Sequence, residues 1–310
     1  MKKIYILVFI GYFLILAITS SFAQDKPRVV ITGARFVYPL VEEWIREYKI
    51  GNPGTEVIIE PRTTTDPSNY DLLLEAYEND KSLKDTRDFF YIARYAILPI
   101  ANSSSEFAKQ YSKKGLTQKQ LKSLFFHDIF ADKKSPDQIK LPYSIYTRLQ
   151  KAGLPTTFAN YFGYEQQSIK GKAIAGADEH LVKAILKDSI GVTYSSLNLI
   201  FDKTTRKVRD GITIIPVDQN GDERVSDGEK ELTNLDDVVL LLEQKSPKNI
   251  PVESLHFSIA KENRNPEAIR FLKWVVEKGL NDLHQFGFLA PADKQYEKGK
   301  GKLGHLTSGL

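Results

Sequence analysis

Arg28-Val-Val-Ile-Thr32-Gly33-Ala-Arg-Phe-Val-Tyr38-Pro-Leu-Val-Glu-Glu-Trp44-Ile-Arg-Glu-Tyr48 is the stretch that decides the fold. Its opening residues form a short apolar run of strand type, and Gly33 marks a turn. Beyond the turn, Val41, Trp44, Ile45 and Tyr48 recur at helical spacing and fall on one face. Strand, glycine turn and amphipathic helix make one βα unit. Working outward, Pro53-Gly54 punctuates the chain, residues 57–59 (Val-Ile-Ile) read as the next strand, and residues 62–69 read as a polar loop. Further strands are expected at 71–74, 89–99, 141–148, 189–193 and 211–217. Helices are expected after the capping box of Thr117 and Gln120, with Leu116 stapled to Leu121, and at 156–162 behind Pro155, at 179–186, and after Asn265-Pro266.

Strands alternating with helices predict an α/β fold with a mostly parallel sheet and helices on both faces. The length suits two such units. Residues 24–97 form a first lobe, 98–250 a second, and 251–310 return to the first. Two chain crossings then leave a cleft between the lobes. The Lys/Gly-rich tail, 292–310, is expected to be mobile and solvated.

Composition removes several function classes. A hydrophobic content of 42% and a charged content of 26% suit a globular protein. The net charge is +4, and removal of Lys2 and Lys3 with a leader leaves about +2, which gives no footing for a nucleic-acid partner. Cysteine is absent, so disulfides, thiolate metal sites, cysteine nucleophiles and a lipid-modified N-terminus are excluded. Residues 1–23 have the form of a cleavable secretory signal: Lys2 and Lys3, an apolar run over 4–18, then Ser21-Phe22-Ala23. The expected location is the periplasm or the exterior. The only methionine is Met1. A mature chain without sulfur suits growth under sulfur limitation and slightly favours sulfate as a ligand.

Enzyme signatures are missing. The five histidines form no zinc-protease pattern, and neither a Gly-x-Ser-x-Gly elbow nor a phosphate-loop lysine motif is present. The expectation is a protein without catalytic residues or required cofactors. Three polar loops at strand ends are the candidate chemistry: Thr32, Gly33, Ala34 and Arg35; Thr63, Thr64, Thr65 and Ser68; and Arg148 with Thr156 and Thr157. Two of the loops run into helices, whose first N–H groups and positive dipole end favour an anion. Two carry an arginine suited to an oxyanion. Together they predict one oxyanion site in a cleft, the alternative being ordinary βα turns.

These residues resemble the phosphate-type substrate-binding proteins of ABC transporters, of the class II periplasmic binding fold. The likeness is carried by Ile31-Thr32-Gly33-Ala34 with Phe36, Tyr38-Pro39-Leu40 and Trp44, and by Leu116-Thr117, Gln120 and Leu121. It continues through Arg148 with Thr156-Thr157-Phe158, Ser189-Ile190-Gly191-Val192-Thr193-Tyr194, and Phe271-Leu272, Trp274, Gly279 and Gly287-Phe288. The resemblance implies a two-lobed, monomeric binding protein that captures phosphate or sulfate and delivers it to a membrane permease. It departs from the family where a Ser-Gly-x-Gly loop falls near 63–69 without any glycine, and where Pro155 precedes the threonines. The second reading is a ligand-sensing or surface module of the same fold, and the third a periplasmic hydrolase.

A separate loop, 218–229, places Asp218, Asn220, Asp222, the Arg224 carbonyl and Glu229 at EF-hand-like spacing for Ca²⁺. Glu223 stands where such loops use glycine. A solvated acidic turn is the alternative reading.

Overall fold

The computed structural model describes residues 26–60, 66, 69–77, 83–127, 139–262 and 264–308. Residues 1–23, expected to form a signal segment, lie outside them. No helix among the described residues is long and apolar enough to cross a membrane.

Strand β1 (Arg28–Gly33) buries Val29 and Ile31, and helix α1 (Tyr38–Gly51) covers it with Leu40, Val41, Trp44 and Tyr48. Strands β2 (Glu56–Ile59) and β3 (Leu72–Glu75) flank β1, both parallel to it. The chain then commits 16 residues to one strand, β4 (Arg87–Asn102). Its first part runs antiparallel to β9 (Val252–Ala260), and its last part antiparallel to β7 (Gly191–Ser196) and β8 (Ile212–Ile214). The partner changes between Ala96, opposite Val252, and Ile97, opposite Ser196. Strands β5 (Ser144–Arg148) and β6 (Lys172–Ile174) extend the far side in parallel, giving the order β2-β1-β3-β9-β4-β7-β5-β6 with β8 on β4. The sheet is therefore parallel in its outer strands and antiparallel through the middle, where β4 and β9 carry the chain between lobes.

The first lobe closes on itself through the end of the sequence. Helix α7 (Pro266–Glu277) starts at Asn265, whose side chain accepts the Glu267 N–H, and buries Phe271, Leu272 and Val275. Trp44 Nε1 donates to the Gly279 carbonyl at 2.7 Å, and the Tyr48 ring meets Phe271 edge-on at 5.2 Å. In the second lobe, helices α2 (Glu106–Lys114), α3 (Gln118–Phe125), α4 (Gly153–Tyr161), α5 (Glu179–Lys187) and α6 (Leu235–Gln244) pack on the sheet. The capping box of Thr117 and Gln120 forms as expected. Phe158 stacks on Tyr194 at 4.3 Å and meets Phe125 edge-on at 5.0 Å, pairs worth about 0.5–1.5 kcal/mol each beyond their buried area.

One expectation is corrected. The Lys/Gly-rich tail contains a helix, α8 (Asp293–Thr307), packed on β4. Gly299 and Leu303 are buried, and Lys302 reaches the buried Asp88 carboxylate at 2.5 Å.

Candidate functional site

A cleft of about 510 Å³ opens between the lobes. One wall is the turn after β1 and the end of β3; the other is the segment from β5 into α4, with Gly176 and Asp178.

The first wall depends on Gly33. Its φ is 136°, and a Cβ there would lie 1.9 Å from the Leu74 carbonyl oxygen, which accepts the Ala34 N–H at 2.9 Å. Only glycine lets β1 and β3 approach this closely before the chain turns. The turn is fixed by the Tyr38 hydroxyl, which accepts from the Gly33 N–H and donates to the Gly33 carbonyl, both at 3.2 Å. A 3-10 turn (Arg35–Val37) then leads into α1. Neither has an acidic side chain in its first turn or a side-chain cap.

The second wall mirrors this. Helix α4 begins after Ala152 with no side-chain cap and no acidic residue in its first turn. The Gly33, Ala34 and Ala152 N–H groups are spent on Tyr38, Leu74 and Gln166, so what the two segments bring to the cleft is the start of each helical turn, at Arg35–Phe36 and Gly153, with its positive dipole end. Gly153 brings the walls together: a Cβ there would lie 2.8 Å from the Ala76 Cβ. Gln166 holds this wall, accepting from the Ala152 N–H and the Thr156 hydroxyl and donating to the Gln150 carbonyl at 3.0 Å.

Arg148, the last residue of β5, donates from Nη1 to Asp178 at 2.9 Å, with both side chains under a tenth exposed. Burial pushes the Asp178 carboxyl above its ordinary value, and the Arg148 charge offsets only part of that. Arg35 and Lys151 stand exposed among the lining residues.

Of the expected ligand residues, Gly33, Ala34, Arg35 and Arg148 line this cleft. Thr32, Thr156 and Thr157 do not. Thr32 is buried with its hydroxyl unpaired among the described residues. The Thr156 hydroxyl is spent on Gln166, and the Thr157 hydroxyl on Tyr95 at 2.8 Å, while the Tyr95 hydroxyl donates to the Ala76 carbonyl. Thr63, Thr64, Thr65 and Ser68 lie outside the described residues. Sequence reading missed Asp178, Glu75, Tyr77, Lys151 and Gly153. Asp178 sits thirty residues after Arg148 in no motif, so only the meeting of the β5 end with the start of α5 reveals it.

The 218–229 loop is ordered by its own carboxylates. Asp218 accepts from the Gly221 and Glu223 N–H groups, and Asp222 from Arg224. Asn220 accepts from the Asp222 N–H. Glu229 accepts from the Gln219, Asn220 and Ser226 N–H groups and the Ser226 hydroxyl. Both Gly221 (φ 80°) and Glu223 (φ 65°) are left-handed, so Glu223 adopts the backbone conformation that glycine supplies elsewhere. Among the described residues no cluster of three or more acidic or histidine side chains is placed to hold a metal ion. The loop is tied to the return crossing, where Asn249 Nδ2 donates to the Asp218 carbonyl at 2.6 Å.

Solved structures share this architecture. A Clostridium perfringens protein solved with bound phosphate is 14% identical, with a TM-score of 0.63 over 86% of this chain and 100% of its own. An ABC-type phosphate transport receptor from Vibrio cholerae is 12% identical, with a TM-score of 0.58 over 85% of this chain and 100% of its own. The CcmR regulatory domain of Synechocystis, in complex with 2-PG, is 13% identical, with a TM-score of 0.50 over 80% of this chain and 95% of its own. No protein-family model and no curated protein sequence matches the chain. The fold is that of the two-lobed periplasmic binding proteins.

Proposed function

We propose that this chain is an exported solute-binding protein that holds an oxyanion-bearing ligand between its lobes and delivers it to the membrane permease of an ABC transporter. The observation that carries the reading is the pair of helix starts without a side-chain cap or an acidic first turn, at Arg35–Phe36 and Gly153, lining one cleft beside Arg148. Backbone N–H groups bind an oxyanion without the desolvation that a second buried cation costs. Arg148 is held by Asp178 through Nη1, and its Nε is buried without a partner among the described residues. Closure of the lobes about the β4 and β9 crossings would sequester the ligand.

Thermal unfolding with inorganic phosphate, sulfate and simple phosphonates tests the reading. A ligand at a hundred times its Kd stabilises the native state by about 2.7 kcal/mol and raises Tm. Arg148→Ala should abolish that response; if no oxyanion moves Tm in the unmodified protein, the reading falls.

The likeness to the CcmR domain favours a second reading, a ligand-sensing module of the same fold. Co-purification with a membrane permease supports transport, and its failure with a ligand-loaded protein supports sensing.

A further inference from the structure

His256 stands inside the sheet with both ring nitrogens unspent. It is 1% exposed, and neither nitrogen is hydrogen-bonded among the described residues. Its Nε2 lies 3.4 Å from Oε2 of Glu75, the last residue of β3, which is buried and lines the cleft. The register of β3, β9 and β4 sets Glu75, His256 and Tyr91 in one row, and Phe89 stacks on the imidazole at 4.7 Å. Other charged groups on this face already have work. Arg87 donates from Nε to Ser258, Arg94, opposite Ser254, donates to the Ala290 carbonyl, and Lys84 lies over the Phe89 ring. Asp178, the other carboxylate of the lining, has its cation in Arg148.

Buried polar groups are almost always satisfied, and a hydrogen between Nε2 and Oε2 serves both atoms. The number of protons on the pair also sets the charge that Glu75 turns to the cleft. With a neutral imidazole and an ionised carboxylate the pair is anionic, and an oxyanion docked against it must bring a hydrogen of its own. With one more proton the pair is neutral, and an oxyanion without a hydrogen meets no net repulsion from it. Imidazole is the side chain suited to gain and lose a proton near neutral pH, and groups this close titrate as a pair.

We infer that His256 is a proton reservoir for Glu75, and that it widens the ligand class of the cleft from oxyanions bearing a hydrogen to fully deprotonated ones such as sulfate. His256 acts through Glu75, as a positioning residue that sets specificity. This rests on the oxyanion reading above and deepens it.

Calorimetric titration with sulfate and with inorganic phosphate, at mildly alkaline pH in buffers of different ionisation enthalpy, counts the protons taken up with each ion. Sulfate should bind with uptake of about one proton, its affinity falling about tenfold per pH unit. Phosphate, there mostly a dianion that keeps one hydrogen, should bind with almost no uptake. His256→Gln retains a donor for Glu75 but does not titrate. It should keep phosphate binding and weaken sulfate at least about tenfold. The comparison of the two ions on the unmodified protein stands even if the variant fails to fold. Equal proton uptake with both ions, sulfate binding without uptake, or a variant that weakens both ions alike or neither overturns the inference. Binding of phosphate alone overturns it while leaving the oxyanion reading intact. Binding of neither ion overturns both.

Discussion

Arg148 and Asp178 meet at 2.9 Å under the cleft, thirty residues apart in sequence and each nearly removed from water. A buried pair of this kind contributes little net stability, because desolvation consumes most of the attraction. Breaking it is another matter, since the surviving charge has no partner.

The first prediction follows from that asymmetry. Arg148→Met should lower stability by about 3 kcal/mol at neutral pH, because it strands the Asp178 carboxylate. Burial already holds Asp178 above its ordinary value of 3.8, with Arg148 opposing. A carboxyl raised in the folded state favours folding below its unfolded pKa, and that contribution is lost as pH rises through the folded pKa. Removing the arginine raises the folded value further. The variant should therefore recover part of its loss as pH falls and Asp178 takes a proton. The double variant with Asp178→Asn should show no such recovery. Urea unfolding across a pH series reads this directly, and a loss independent of pH would contradict it.

The second prediction separates the threonines from the ligand. Thr157 supplies a hydroxyl to Tyr95, which ties β4 to the Ala76 carbonyl at the lobe junction. Thr157→Val should cost about 0.5–1.5 kcal/mol, the net worth of one hydrogen bond. The Tm response to an oxyanion should survive, because the backbone approach at 152–153 is untouched. A variant that folds stably but no longer responds would return the hydroxyl to the ligand.

The βα unit at 28–51 was legible because its signals are local: a β-branched run, a glycine, then apolar residues at helical spacing. The capping box of Thr117 and Gln120 was legible for the same reason. Strand β9 was missed although Leu255, Phe257 and Ile259 alternate with Ser254, His256 and Ser258 as a strand does; His256 and Ser258 are buried too, because β3 and β4 flank it on both sides. Helix α8 was hidden by Gly299, Gly301 and Gly304, which lower helix propensity, while the buried Leu303 and the Lys302–Asp88 pair that hold it on β4 are visible only in three dimensions. At the site, Gly33 and Arg148 were marked by neighbouring residues. Glu75, Asp178 and Gly153 acquire meaning only when separate strand ends meet. The threonines misled because a hydroxyl near a helix start suits a ligand and an internal bond equally well.

The third prediction concerns Glu229, which takes the Gln219 N–H at 2.7 Å, the Asn220 N–H at 3.1 Å, the Ser226 N–H at 2.7 Å and the Ser226 hydroxyl at 2.9 Å. Burial pushes its carboxyl up, but these donors together hold it below the ordinary value of 4.5. A depressed carboxyl contributes stability above its unfolded pKa, and the contribution is lost as pH falls through the folded pKa. Glu229→Gln keeps the shape but turns an NH₂ toward donors that need an acceptor. It should cost about 1.5–3 kcal/mol at neutral pH, the range for hydrogen bonds to a charged group, and less in acid. The same variant tests the EF-like spacing of Asp218, Asn220, Asp222, Arg224 and Glu229. If calcium joins the loop, millimolar calcium should give titration heat and raise Tm in the unmodified protein, chelation should reverse the rise, and Glu229→Gln should remove both. If the variant loses the same stability with calcium as with chelator, and the unmodified protein gives no heat, the backbone donors alone hold the loop and the metal reading fails.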